Sequence, residues 1–202
     1  MAFNTYSDLK LSIISWVEND SVTTSHLNNF ITLAEERLAR DIRIRQTETA
    51  LSVTLSSGVA TIPSDFIELK YAYIDGDPIY YLEPKEPTWL LRKYPIRTSQ
   101  GKPLYIAVDG SSFIFGPYPD SDYGLAGTYY KKPTALSDTN ETNEWTDNVP
   151  ELLFWACMLE TAPFLYQDER FDTWDRRYRE AYQRIKLSER KQARRQTRVS
   201  TS

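Results

Sequence analysis

Apolar residues recur along this chain with a helical period at both ends and an alternating one between them, and the two changes of period divide it. Near the start Tyr6, Leu9, Ile13, Trp16 and Val17 fall three or four apart, with Asn4 or Thr5 placed to cap the helix they predict. Asn19, Asp20 and Ser21 end it. Thr23 or Thr24 then opens a longer helix with Leu27, Phe30, Ile31, Ala34, Leu38 and Ile42 on one face. On its other face Glu36/Arg40 and Asp41/Arg45 stand four apart as ion pairs. Two helices and a short loop predict an antiparallel hairpin, whose apolar stripe needs a partner.

From residue 51 the period falls to two. Leu51, Val53 and Leu55 alternate with Ser and Thr, Ser57-Gly58 makes a turn, and residues 59–62 return, which predicts a hairpin. Strands are also expected at 66–74, 79–82, 104–108, 113–115 and 125–130, with turns at Gly76-Asp77 and Asp109-Gly110. Between breaks marked by Pro84 and Pro87 and the next strand, Trp89, Leu90 and Tyr94 fit one short helix. The middle therefore reads as a small antiparallel sheet or barrel of six or seven strands.

The helical period then returns. Residues 134–148 read as a polar linker with Trp145 as its anchor, and Asp147, Asn148 and Pro150 open a helix that is apolar on every side from 152 to 159. Pro163 interrupts that run, which falls short of the roughly 20 apolar residues of a membrane span, so a protein-covered core helix is expected. Asp168 and Glu169 start a last helix with Phe171, Trp174, Tyr178, Tyr182 and Ile185 on one stripe.

The fold class expected is α+β: a helical bundle from the N- and C-terminal helices with an inserted small antiparallel β-sheet or barrel domain. Its parts are residues 1–48 (helical hairpin), 49–133 (β-rich insertion), 134–148 (linker), 149–187 (C-terminal helices) and 188–202 (basic tail).

With 202 residues, 41% of them hydrophobic, the chain has material for a core without disulfides or metals. Its single cysteine, Cys157, excludes an internal disulfide framework and a Cys-rich zinc site, and its apolar helix makes it a core thiol rather than a nucleophile. No secretory signal is expected ahead of Tyr6. The net charge of −4 conceals an asymmetry, since from Lys186 onward six cations face one anion, a net +5 that leaves −9 for residues 1–185. An acidic body repels nucleic acid, whereas a basic end suits an acidic protein surface or phosphates.

Catalytic chemistry finds little support. His26 is the sole histidine and sits in the first turn of a predicted helix, a capping place rather than a triad or metal site. The glycines form neither a G-x-G-x-x-G nor a P-loop pattern, and no cofactor or metal is expected. Asp65/Glu68, Asp75/Asp77 and Asp120/Asp122 could in principle flank a glycosidic bond, but each pair falls at a strand end or turn, where Asp serves as a turn former. A carbohydrate-degrading component and a nucleic-acid-binding protein using the basic end as an arm are thus the alternatives. Tyrosine is concentrated in the β region, and of these residues Tyr80, Tyr81, Tyr118 and Tyr123 are the candidates for protein contact.

Taken together, the opening YSDLKLSIISWVEND, the helix FITLAEERLARDIRIRQTE, the strand TIPSDFIELKYAYID, the block PLYIAVDGSSFIFGPYPDSDY and the ending PELLFWACMLETAPFLYQDERFDTWDRRYREAYQRI resemble the head-to-tail adaptor proteins of short-tailed bacteriophages, the group that includes those called tail tubular protein A. The resemblance spans residues 5–185. It implies a structural virion protein and no enzyme: a homo-oligomeric ring, usually of twelve copies, at the head-tail junction between the portal protein ring and the tail nozzle protein. Double-stranded DNA would pass through its lumen without specific binding, and no membrane would be involved. Residues 187–202 would map onto the family's portal-inserted extension, with Arg190, Lys191, Arg194, Arg195 and Arg198 binding the portal, while Glu35, Glu36 and Asp41 are exposed-face candidates for the lumen.

Overall fold

The computed structural model describes residues 3–165 and 169–199, with side chains as far as Gln192. Along the chain run α1 (Tyr6–Val17), α2 (Thr24–Asp41), a 3-10 turn (Arg45–Thr47), β1 (Glu48–Thr54), β2 (Val59–Thr61), β3 (Phe66–Ile74) and β4 (Tyr80–Pro84). Then follow α3 (Pro87–Lys93), β5 (Tyr105–Asp109), β6 (Ser112–Gly116), β7 (Gly124–Lys131), α4 (Glu144–Asn148), α5 (Pro150–Leu165) and α6 (Phe171–Val199). The fold is α+β, with the N- and C-terminal helices packed together and a seven-stranded, nearly closed barrel-like sheet inserted between them in sequence. The chain forms two compact units, one from its two ends, up to Thr47 and from Pro133, and one from Glu48–Lys132.

In the helical unit, local chemistry sets the helix starts. The Thr5 hydroxyl accepts the Asp8 N–H at 3.1 Å to cap α1. At α2, Thr23 Oγ1 accepts the His26 N–H at 3.4 Å while His26 Nδ1 accepts the Thr23 N–H at 3.2 Å, so the lone histidine has the capping role its position suggested. Leu9 and Ile13 of α1 and Leu27, Ile31, Ala34 and Leu38 of α2 are buried. α5 is the centre of this unit: every residue from 152 to 159 is buried, and α1, α2, α4 and α6 all pack on it. No described helix is long and apolar enough to cross a membrane.

Two expectations change here. Pro163 does not end its helix but lies inside α5, which continues to Leu165. A proline gives up the bond to the carbonyl four residues back and its ring crowds that carbonyl, costs confined here to the last turn of α5. The polar linker contains a helix, α4, because the Asn143 side chain accepts the N–H groups of Trp145 (3.0 Å) and Thr146 (3.3 Å) while Thr146 Oγ1 accepts that of Asn143 (2.8 Å). Trp145, the expected anchor, is 1% exposed. Finally, α6 runs unbroken for 29 residues, so the backbone of the basic segment is helical through Val199. Lys, Glu, Arg, Gln and Ala there are strong helix formers, and neither Gly nor Pro intervenes. Trp174, Tyr178 and Ala181 are its buried stripe; Phe171 is exposed, and Asp168 lies outside the described residues.

The strand order in the β unit is β1-β7-β3-β4-β5-β6-β2. Its two edges, β1 and β2, are consecutive in the chain, so the turn between them brings the edges together with a single bridge, Ser56 to Val59. The expected β1–β2 hairpin is therefore not formed: β1 pairs with β7 and β2 with β6. Leu51, Leu55 and Ala60 enter one core with Ile74, Leu82, Phe113 and Leu125, and wrapping the sheet around that core gives both strands other partners. Nor is the sheet wholly antiparallel. β4 and β5 are parallel, Glu83 opposite Tyr105, because the stretch between them, including α3, is long enough for a crossover.

Candidate interaction surfaces

The basic end of α6 is the first candidate. At 100° per residue, positions 190, 191, 194, 195 and 198 fall within an arc of about 140°, one face of the helix. Arg190 and Lys191 are exposed; the side chains of Arg194, Arg195 and Arg198, and all of residues 200–202, lie outside the described residues. Gln192 on α6 accepts from Arg45 of the helical unit at 3.2 Å.

Of the four tyrosines singled out, Tyr118 and Tyr123 are half-buried and their hydroxyls serve the β unit itself. Tyr118 donates to the Ser57 carbonyl at 2.7 Å, and Tyr123 donates to Asp120 at 2.6 Å, the bond that chiefly raises its pKa. Tyr80 carries the Lys102 ammonium 3.1 Å above its ring. Tyr81 stands out, 67% exposed and packed edge-on to Tyr73 at 5.8 Å, opposite it across β3 and β4. With Tyr71 these rings form a cluster on the outer sheet face. The alternation Tyr71-Ala72-Tyr73-Ile74 carried that signal, since two tyrosines flanking the buried Ala72 must share the opposite face.

The three lumen candidates separate. Glu35, expected on an exposed face, is 5% exposed and accepts hydrogen bonds from the Leu136 N–H at 3.2 Å and Asn143 Nδ2 at 2.6 Å. It holds the segment before α4 onto α2, so it is not a surface carboxylate. Glu36 and Asp41 are exposed. The expected Asp41/Arg45 helical pair does not exist, because the chain is extended at Ile42; Asp41 instead accepts from Arg40 (3.2 Å) and the Tyr178 hydroxyl (3.3 Å). Burial, followed by the nearby Asp41 charge, pushes the Tyr178 phenol well above its usual range.

The groups with catalytic potential occupy structural positions. Asp65 accepts from the Tyr129 hydroxyl at 2.8 Å, and burial together with that bond raises the Tyr129 pKa to about 12. Asp120 holds Tyr123, and Asp75 and Asp77 sit at the turn between β3 and β4. Cys157 is fully buried and its thiol is pushed well up by desolvation, the opposite of a reactive thiolate. Among the described residues no three His, Cys, Asp or Glu side chains are grouped to share a metal ion.

One surface escaped the sequence reading. α3 buries Leu90 against Ala107 and Ile114, and this leaves Trp89 on the outside, 38% exposed. The ammonium groups of Lys85 and Lys93 lie 5.2 and 4.9 Å from the Trp89 ring centroid, and Lys93 also donates to the Tyr105 hydroxyl at 3.1 Å. That bond is the main reason its pKa is raised. The cations come from a stretch interrupted by prolines, so no sequence period announced the cluster.

The sequence profile of the family described as SU10 adaptor protein matches residues 4–201. No curated protein matches the chain.

Proposed function

Because the chain belongs to the SU10 adaptor protein family, the phage head-to-tail adaptors, we propose that it forms a ring of twelve copies at the head-tail junction of a virion, between the portal ring and the tail nozzle. A structural rather than catalytic role follows from the family. The ring's copy number, its two partners and the passage of the genome through it are the proposed part. Arg190, Lys191, Arg194, Arg195 and Arg198 bind an acidic surface of the portal, and the Tyr81 cluster meets the nozzle. Double-stranded DNA passes through the bore without being held, which an acidic body favours, since lining cations would bind phosphates in a salt-dependent way. Glu36 and Asp41 are the carboxylates assigned to that lining.

The observation that carries this reading is the length of α6, a helix of about 43 Å on which positions 190, 191, 194, 195 and 198 share one face. A preformed basic helix enters a partner with less ordering cost than a disordered tail. Deleting residues 193–202 keeps the Gln192 bond, so the truncated protein should melt as the full chain does yet fail to shift the portal ring in native mass spectrometry. A truncated protein that still loads the portal in full would remove α6 from the docking role.

A further inference from the structure

The patch around α3 differs in charge from the rest of the β unit. Residues 79–105 hold five cations (Lys85, Arg92, Lys93, Arg97, Lys102) against Glu83 and Glu86, a net +3, whereas the remainder of Glu48–Lys132 has three cations against eight carboxylates, a net −5. The patch is also the most open part of the unit. Of residues 91–100 only Tyr94 is not exposed, and Leu91 (44%) and Ile96 (63%) present apolar surface beside the cations. Aromatic rings hold these cations in place: Lys93 lies 4.6 Å from the Tyr105 centroid and Arg97 lies 5.8 Å from that of Tyr118. Fixed cations beside exposed Trp89 suit a protein surface bearing carboxylates. Unpaired bases fit less well, because the ring faces they would stack on already carry the chain's own cations.

Carboxylates are concentrated elsewhere in the same chain. Residues 133–165 contain six carboxylates and no lysine or arginine. Asp138 is paired with Lys10 at 2.7 Å, Glu151 with Arg184 at 2.9 Å, and Glu141 accepts from the Ser7 N–H and hydroxyl; Glu144 and Asp147 stand three apart on α4, and Asp147 is exposed. We propose that the cation-aromatic patch around α3 is a docking surface for a second copy of this chain and receives the carboxylates of its α4, Glu144 and Asp147. Two different patches meeting head to tail make a heterologous contact, the kind that closes into a ring. The proposal rests on the ring reading above and assigns its subunit contact.

Charge reversal tests it. The variant Lys85→Glu/Lys93→Glu has two acidic surfaces and the variant Glu144→Lys/Asp147→Lys has two basic ones, so each alone should self-associate about tenfold or more weakly than the unaltered chain in sedimentation velocity. Mixed in equal amounts, the two should recover association, because each then offers the surface the other lacks. Association of the unaltered chain should weaken with added salt, and Trp89→Ala should weaken it as well. Circular dichroism of each variant guards against misfolding, and recovery on mixing does so independently. Unchanged association of either reversal variant, or no recovery on mixing, overturns the proposal. An unaltered chain that is monomeric at every concentration also overturns it, while the portal-shift experiment with α6 still reports on the adaptor role by itself. Binding of a single-stranded oligonucleotide that Lys85→Glu/Lys93→Glu abolishes would reassign the patch to nucleic acid.

Discussion

Glu35 and Cys157 show at the residue scale how burial overrides type. A glutamate next to Glu36 on a charged helix reads as solvent-facing, yet its carboxylate is enclosed and bonded to the Leu136 N–H and to Asn143. Replacing Glu35 by Ala leaves those donors unmatched and should cost about 1.5–3 kcal/mol of stability in urea unfolding, while Gln, which still accepts, should cost less. Cost near zero for Ala would mean that water satisfies both donors. Cys157, by contrast, is where an apolar helix implies it should be. A thiol reagent should leave the native protein unmodified and label it fully once unfolded, since desolvation keeps the thiol protonated. Glu35 could not be read from sequence because its partners lie about a hundred residues away and belong to a loop.

At the scale of elements, the strands and helices follow the apolar period closely, and the errors concern pairing and ends. β3 occupies the expected residues 66–74, but β1 and β2, adjacent in sequence, become opposite edges of the sheet. Gly127 on β7 shows how tightly the closed sheet is drawn. It stands opposite Leu51 of β1 and Ala72 of β3, and an added Cβ would lie 2.2 Å from the Tyr71 carbonyl oxygen. Since backbone cannot yield as a flexible side chain can, Gly127→Ala should destabilise the β unit by roughly 3 kcal/mol or more, measured as a loss in its thermal melt. Gly110 makes a useful contrast: its φ is +59° but nothing lies within 4 Å of an added Cβ, so Ala there should cost only about 1 kcal/mol. A Gly127→Ala protein as stable as the Gly110→Ala one would refute the close approach. In α6 composition and structure agree, because its basic end is built of good helix formers with no Gly or Pro before Val199.

The whole molecule has two compact units, and the chain enters and leaves the β unit at neighbouring points. Glu48 pairs with Tyr130, and the Lys132 N–H bonds to the Asp65 carbonyl at 2.6 Å. A segment whose ends are already held together, with its own core, does not need the rest of the chain to close it. Residues 48–132 expressed alone should therefore give a β-type circular dichroism spectrum and a cooperative melt. An unfolded fragment would show that the helical unit contributes to its stability.

Period and composition by themselves determined the α+β class, the identity of most core residues, the capping of α1 and α2 and the acidic body with its basic end, because each is a property of neighbours within a turn or two of chain. The words spread along the sequence also pointed to the phage adaptors, the family the full-length match establishes. Tertiary structure alone decided which strands are neighbours, that β4 and β5 run parallel, that Glu35 is buried, and that Lys85, Lys93, Trp89 and Tyr105 share one surface. An apolar period states that a face must be covered without naming what covers it. That choice is made by closure of the sheet and packing of the helices, where residues far apart in sequence compete for the same partner.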